Sequence, residues 1–218
     1  MRHVGNDIVD LADPGLMGKS RGERFISRIL TQMEKEKLRT AADPDTMLWA
    51  LWAGKETAYK VVRKSHVAVS SAPRAYEVGF VEDGMMEPEK DFIISGTVKT
   101  PCEPVTIKTF KTLDHIHCIG TDGESKTLDS VVWEVRRVEE DLRVLPCFES
   151  FFVREAAKKR LSLHLNRNSD EIEIRRLKGQ YGLEPPVVYV KDNPALVDIS
   201  LSHDGKFAAY AFATDSSS

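Results

Sequence analysis

Trp52–Lys60 reads WAGKETAYK. It lies within Asp45–Val62, where apolar and aromatic residues recur with helical spacing. Leu48, Trp52, Tyr59 and Val62 follow at steps of four, seven and three, with Leu51 and Ala58 beside them. That is one stripe of an α-helix. An apolar residue at position 55 should divide the long step, but Lys55 stands there. A lysine on an apolar stripe has to snorkel, pair with a carboxylate or meet an anionic ligand. Glu56 follows at the edge of the same face, with Lys60 four residues on. As a surface pair, Glu56 and Lys60 would stabilise the helix by roughly 0.2–0.5 kcal/mol. As a site, the face would offer a metal-binding carboxylate and two phosphate-binding ammonium groups. The helix alone leaves both readings open.

On the N-terminal side, residues 2–10 alternate as a strand, with Val4, Ile8 and Val9 apolar and Asp7 and Asp10 acidic. Glu23–Arg39 is helical. Thr31 followed by Glu34 has the spacing of a capping box, which would split that segment into two helices. Asp45 or Thr46 is placed to cap the central helix, which runs to about Arg63. On the C-terminal side the pattern turns to strands at 76–81, 92–98, 105–110, 115–119 and 131–138, with a turn at Asp83-Gly84 among them. A second helix follows at 148–165, then strands at 171–177, 187–190, 199–201 and 207–212. Ser202-His203-Asp204-Gly205 reads as the turn between the last two. The order helix, strand, hairpin thus occurs twice. The expected fold is α+β: two similar lobes, each with an antiparallel sheet and a long helix, divided as 1–122 and 123–218.

The 218 residues carry a net charge of −3, with 41% hydrophobic and 30% charged side chains. That length is ample for a sizeable core. The charge balance gives no general attraction to nucleic acid or an anionic membrane, and no apolar run is long enough to span a bilayer. An Asp inside the first apolar stretch argues against a signal peptide. Cys102, Cys118 and Cys147 form no CxxC pattern, so reduced thiols and a cytoplasmic location are expected.

Three places combine titratable groups with structural oddity: Gly5-Asn6-Asp7-Ile8-Val9-Asp10, the Lys55-Glu56-Lys60 face, and Ser202-His203-Asp204. Each has a bland reading, as a solvated strand end, a surface ion pair and a hydrogen-bonded turn respectively. Adjacent Ser and His are not a nucleophile–base arrangement, so hydrolase chemistry gains no support. Carboxylates on separate elements do suit Mg²⁺, which keeps water and substrate phosphates in its remaining positions. There is no GxxxxGK[ST] or GxGxxG, which leaves P-loop and Rossmann sites unsupported.

VGNDIVDL, RFISRILTQMEKEKL, WAGKETAYK and ISLSHDGKFAAYAF, in that order, resemble the motifs of the 4′-phosphopantetheinyl transferase superfamily. The nearest pattern is the holo-acyl-carrier-protein synthase type. The resemblance implies the superfamily's α+β fold and an enzyme that moves phosphopantetheine from coenzyme A to a carrier-protein serine, releasing 3′,5′-ADP with Mg²⁺. It implies Asp7 and Glu56 as metal ligands, with Asp10 a lesser one, and Glu56 and Lys60 in catalysis. It implies Lys55, Lys60, Ser202 and His203 at coenzyme A, with Arg24 and Arg28 near the cofactor and the carrier. Partners would be an acyl or peptidyl carrier protein, with no nucleic acid or membrane. The second lobe would supply within one chain the neighbour that a short synthase finds in another subunit, giving a pseudodimeric monomer or a small homo-oligomer. A degenerate module that binds coenzyme A or a carrier, and an Mg²⁺ phosphohydrolase using Asp7, Asp10 and Glu56, are the alternatives.

Overall fold

The computed structural model describes residues 2–81, 91–139 and 148–214. Cys147 and the turn at Asp83-Gly84 lie outside them. The chain begins with β1 (Val4–Asp10), α1 (Glu23–Ile29), α2 (Gln32–Thr40) and α3 (Pro44–Val62). The strands β2 (Glu77–Phe80), β3 (Phe92–Lys99), β4 (Val105–Lys111) and β5 (His115–Thr121) follow. With β1 they make an antiparallel sheet in the order β1-β5-β4-β3-β2. Then come β6 (Val132–Arg137), α4 (Phe148–Leu165), β7 (Ile172–Arg175) and a small hairpin of β8 (Lys178–Gly179) and β9 (Gly182–Leu183). β10 (Val187–Val190), β11 (Asn193–Asp204) and β12 (Phe207–Thr214) end the described chain. Their sheet runs β6-β12-β11-β10-β7, again antiparallel. In both sheets the first strand lies at one edge beside the last, and the long helix sits between the first and second strands in sequence.

α1 and α2 are separate because Thr31 takes an extended backbone and its side chain accepts from Glu34 N, while Glu34 Oε2 accepts from Thr31 N at 2.8 Å. The capping box expected from the sequence is therefore present. α3 starts two residues earlier than expected. Asp43 caps it by accepting from Thr46 N at 3.1 Å, with Pro44 in the first turn. Asp45 instead accepts from Gly18 N and Ser20 N. The last hairpin also differs. Ser202, His203 and Asp204 belong to β11, paired with Ala209, Ala208 and Phe207. The turn is Gly205-Lys206, where Gly205 has a φ of +49°.

Lys55 is 1% exposed. Its ammonium lies 2.7 Å from Glu34 Oε2 and donates to Pro73 O at 3.2 Å and to Tyr76 O. The other oxygen of Glu34 accepts from Val78 N at 2.8 Å. One buried ion pair thus ties the start of α2, the middle of α3 and the entry to β2 together. The Lys55 head points into the first core, where Leu48, Leu51, Ala58, Val61, Val78 and Ile107 pack, so it is not a coenzyme A contact. Burial lowers its pKa and the Glu34 charge opposes that fall.

β1 is the edge of its sheet, yet it is buried. Its free edge lies against β11, and side chains rather than a strand satisfy its backbone. Asp198 Oδ1 accepts from Val4 N at 2.9 Å, Ser200 Oγ from Asn6 N at 3.0 Å, and Asp204 Oδ2 from Asp10 N at 2.8 Å. Lys64 donates to Val4 O at 2.6 Å and Lys60 to Asn6 O at 2.9 Å. Ile8 adds an apolar contact with Phe207 and Ala209. Gly5 is needed for the fit with α3, because a Cβ there would sit 2.3 Å from Thr57 O and 2.8 Å from a Val61 methyl.

Glu34→Ala should cost about 3–5 kcal/mol, since it leaves the Lys55 ammonium buried without its partner. Urea unfolding should show a large fall in midpoint. Glu34→Leu combined with Lys55→Met should regain most of the loss, because both charges are then gone.

Candidate active site

β1 presents alternate residues to opposite faces. Asn6, Ile8 and Asp10 turn toward the second sheet, while Gly5, Asp7 and Val9 turn toward α3. Asp7 is the polar member of the second set, and the side chain that meets it is Lys60, whose Nζ lies 2.7 Å from Asp7 Oδ1. Lys60 therefore serves Asp7 and the Asn6 carbonyl together. Glu56 sits one turn earlier on α3, and its carboxyl feels both the Asp7 and the Lys60 charges.

The electrostatics of this pair are unusual. Burial, and then the Asp7 charge, push the Glu56 carboxyl up to about 7, with Lys60 opposing. Burial raises Asp7 as well, against Lys60 and His203. Two carboxylates on separate elements thus compete for one lysine in a partly buried place. A divalent cation with a preference for hard oxygen would relieve that repulsion.

A cleft opens beside them. One wall is Glu56, Tyr59 and Lys60 of α3 with Arg63 and Lys64 just past its end, and the other includes Arg176, Leu183, Pro185 and Ser200 from the second half of the chain. Arg63 is braced by Tyr59 Oη at 2.9 Å and by the Tyr181 and Leu183 carbonyls at 3.0 and 2.9 Å. Arg176 Nε donates to Glu184 O at 2.9 Å. Burial lowers the Arg176 pKa, and the Arg154 and Arg63 charges lower it further. Cations crowded in this way favour an anionic ligand.

The structure brings Asp7, Glu56 and Lys60 together from the expected set. His203 projects as an exposed residue of β11, close enough for its charge to act on Asp7. The others lie apart from this cluster. Asp10 is 4% exposed, and its carboxylate accepts from Ala12 N at 3.0 Å and Lys206 N at 2.9 Å. It closes the β11–β12 turn, and its two oxygens are engaged by backbone N–H groups. Ser202 is buried, and its hydroxyl accepts from Asn6 Nδ2 at 2.8 Å, so it fastens β1. Arg24 and Arg28 are exposed on α1 and do not line the cleft. Arg63, Lys64 and Arg176 were missed. Lys64 lies past the end of α3 and is held by Val4 O, Asp198 and Ile199 O, contacts that no local pattern announces. Nothing local marks Arg176.

Residues 3–85 match the family model described as the 4′-phosphopantetheinyl transferase superfamily. A holo-[acyl-carrier-protein] synthase of Hydrogenovibrio crunogenus is 34% identical over 59 residues, covering 27% of this chain and 46% of that protein. The chain thus spans about half the length of the curated relative it matches. These matches bear out the superfamily resemblance, and the architecture of antiparallel sheets and helices agrees with the α+β class expected. Among the described residues no helix is long and apolar enough to cross a membrane.

The raised Glu56 carboxyl has a signed consequence for the metal-free protein. The unfolded chain releases the Glu56 proton near 4.5, while the folded chain holds it to about 7. The folded state is therefore unpenalised below the first value and loses stability as pH rises through that window, by on the order of 3 kcal/mol if the full shift applies. Chemical denaturation across the window in chelator should show the decline, and Glu56→Gln should flatten it.

Proposed function

We propose that this chain transfers the 4′-phosphopantetheine group from coenzyme A to a serine of an apo carrier protein, releasing 3′,5′-ADP. The observation that carries the reading is the Asp7–Glu56 pair beside a cleft lined by Lys60, Arg63, Lys64 and Arg176. The superfamily match over residues 3–85 supports it. We read residues 1–122 and 123–218 as two units of one pseudo-two-fold arrangement in a cytoplasmic protein, with one composite site in a monomer or a small homo-oligomer.

The donor set fits Mg²⁺, because it consists of carboxylate oxygens whose mutual repulsion a hard cation removes. Asp7 and Glu56 would hold the ion, which when bound would neutralise charge on the pyrophosphate of coenzyme A. Lys60 fixes Asp7 and adds a positive charge where the phosphates would lie. Arg63 and Arg176 bind the remaining anionic groups of the cofactor, with His203 at the nucleotide end. The carrier serine oxygen then forms a bond to the β-phosphorus as the bridge to the α-phosphate breaks. The serine proton passes to Glu56 or to a water that Glu56 orients. Positioning and fixed charge supply most of the acceleration in such transfers.

A mass-shift assay with coenzyme A, Mg²⁺ and a panel of apo acyl and peptidyl carrier proteins tests this directly. At least one carrier should gain phosphopantetheine. Glu56→Gln should abolish the gain while leaving the folded spectrum intact, and an unchanged rate in that variant would overturn the metal-site reading. Coenzyme A binding without conversion of any carrier would favour a binding module. Arg176→Ala should raise KM for coenzyme A about tenfold, roughly 1.4 kcal/mol of binding, with less effect on kcat.

A further inference from the structure

His66, Cys102 and Glu103 stand apart from the Asp7–Glu56 cleft. His66 lies four residues beyond the end of α3, held by His66 N donating to Val62 O at 2.9 Å and by Val69 N donating to His66 O at 2.9 Å. Cys102 and Glu103 occupy the turn between β3 and β4. Thr100 shapes that turn, because its hydroxyl accepts from Cys102 N at 3.0 Å and donates to Glu103 O at 2.7 Å. One ligand-capable atom from each of the three side chains falls within 4.8 Å of the other two. Among the described residues no other group of three His, Cys, Asp or Glu side chains converges in this way.

The chemistry of the set is specific. It offers one imidazole nitrogen, one free thiol and one carboxylate oxygen. The nitrogen and oxygen are 3.1 Å apart, close to the roughly 3.4 Å edge of a tetrahedron with metal–ligand bonds near 2.1 Å. The thiol is half-buried against the first core, while His66 and Glu103 are 43% and 64% exposed. An ion can therefore enter from solvent, and a fourth position stays open to water. As a bare ion pair at such exposure, His66 and Glu103 would add little stability, and a pair alone gives no reason for the thiol to join them.

We infer that His66, Cys102 and Glu103 form a second cation site that takes Zn²⁺ or a similar borderline transition-metal ion. Mixed nitrogen, sulfur and oxygen donors select such ions over Mg²⁺, which suits the all-oxygen pair Asp7 and Glu56. On binding, the Cys102 thiol loses its proton to solvent and the sulfur–metal bond forms in its place. The ion then clamps the exit of α3 to the β3–β4 turn.

Co²⁺ titration of the full chain, followed by displacement with Zn²⁺, tests the site. A thiolate-to-cobalt charge-transfer band should appear and saturate at one equivalent. It should vanish in Cys102→Ser and weaken at least about tenfold in His66→Ala and Glu103→Gln. The folded circular dichroism of each variant should match the parent, since these side chains are outside the close-packed core. Excess Mg²⁺ should leave the band in place. No band, a band that survives Cys102→Ser, unchanged affinity in the His66 and Glu103 variants, or displacement by Mg²⁺ would each overturn the inference.

Discussion

The free edge of β1 is the constraint on which this molecule depends. A strand edge carries backbone donors and acceptors that need partners once water is excluded. Here a second sheet covers that edge face-on and offers no strand to pair with. Asp198, Ser200 and Asp204 accept from its N–H groups, while Lys60 and Lys64 donate to its carbonyls. Each such group left unmet would cost about 1–3 kcal/mol. Lys64 also pairs with Asp198. Burial works against charge on Asp198, but its hydrogen bonds with His3, Lys64 and Val4 N outweigh that, and its pKa falls.

The candidate site follows from the same arrangement. Lys60 must reach the Asn6 carbonyl, so its ammonium is brought beside Asp7 on the next residue. Glu56 lies one turn back along the same row of α3. The opposite side of the helix carries the core residues and the buried Lys55–Glu34 pair, which fix how far α3 can slide or rotate. Two lysines five residues apart thus have unlike roles: Lys55 anchors the helix within the first core, and Lys60 faces outward into the junction. Substituting one informs little about the other.

Much of the fold was legible because it rests on short-range patterns. Period-two runs gave most of the strands, periods near 3.6 gave α3 and α4, and Thr31 with Glu34 gave the break between α1 and α2. Asp7 stood out as a charge among the apolar residues of a strand, and Glu56 with Lys60 as a charged i, i+4 pair at the edge of the α3 stripe. Lys55 showed the same oddity, but its resolution was not local. Its partner Glu34 lies 21 residues earlier, and nothing in the stripe separates a buried carboxylate from a bound anion. The hydrogen bonds of Asp10 and Ser202 were out of sight for a related reason. Their partners, Lys206 N and Asn6 Nδ2, are nearly 200 residues away, so only the packing of one sheet on the other shows that their lone pairs are occupied. Ser202-His203-Asp204 carried turn-forming residue types, yet β12 extends β11 through them.

The cleft has one wall on α3 and the other on the β7–β11 region, and both belong to a single covalent chain. Its closure is therefore a unimolecular event. The local concentration of one wall around the other is set by the connecting chain, and dilution does not separate them.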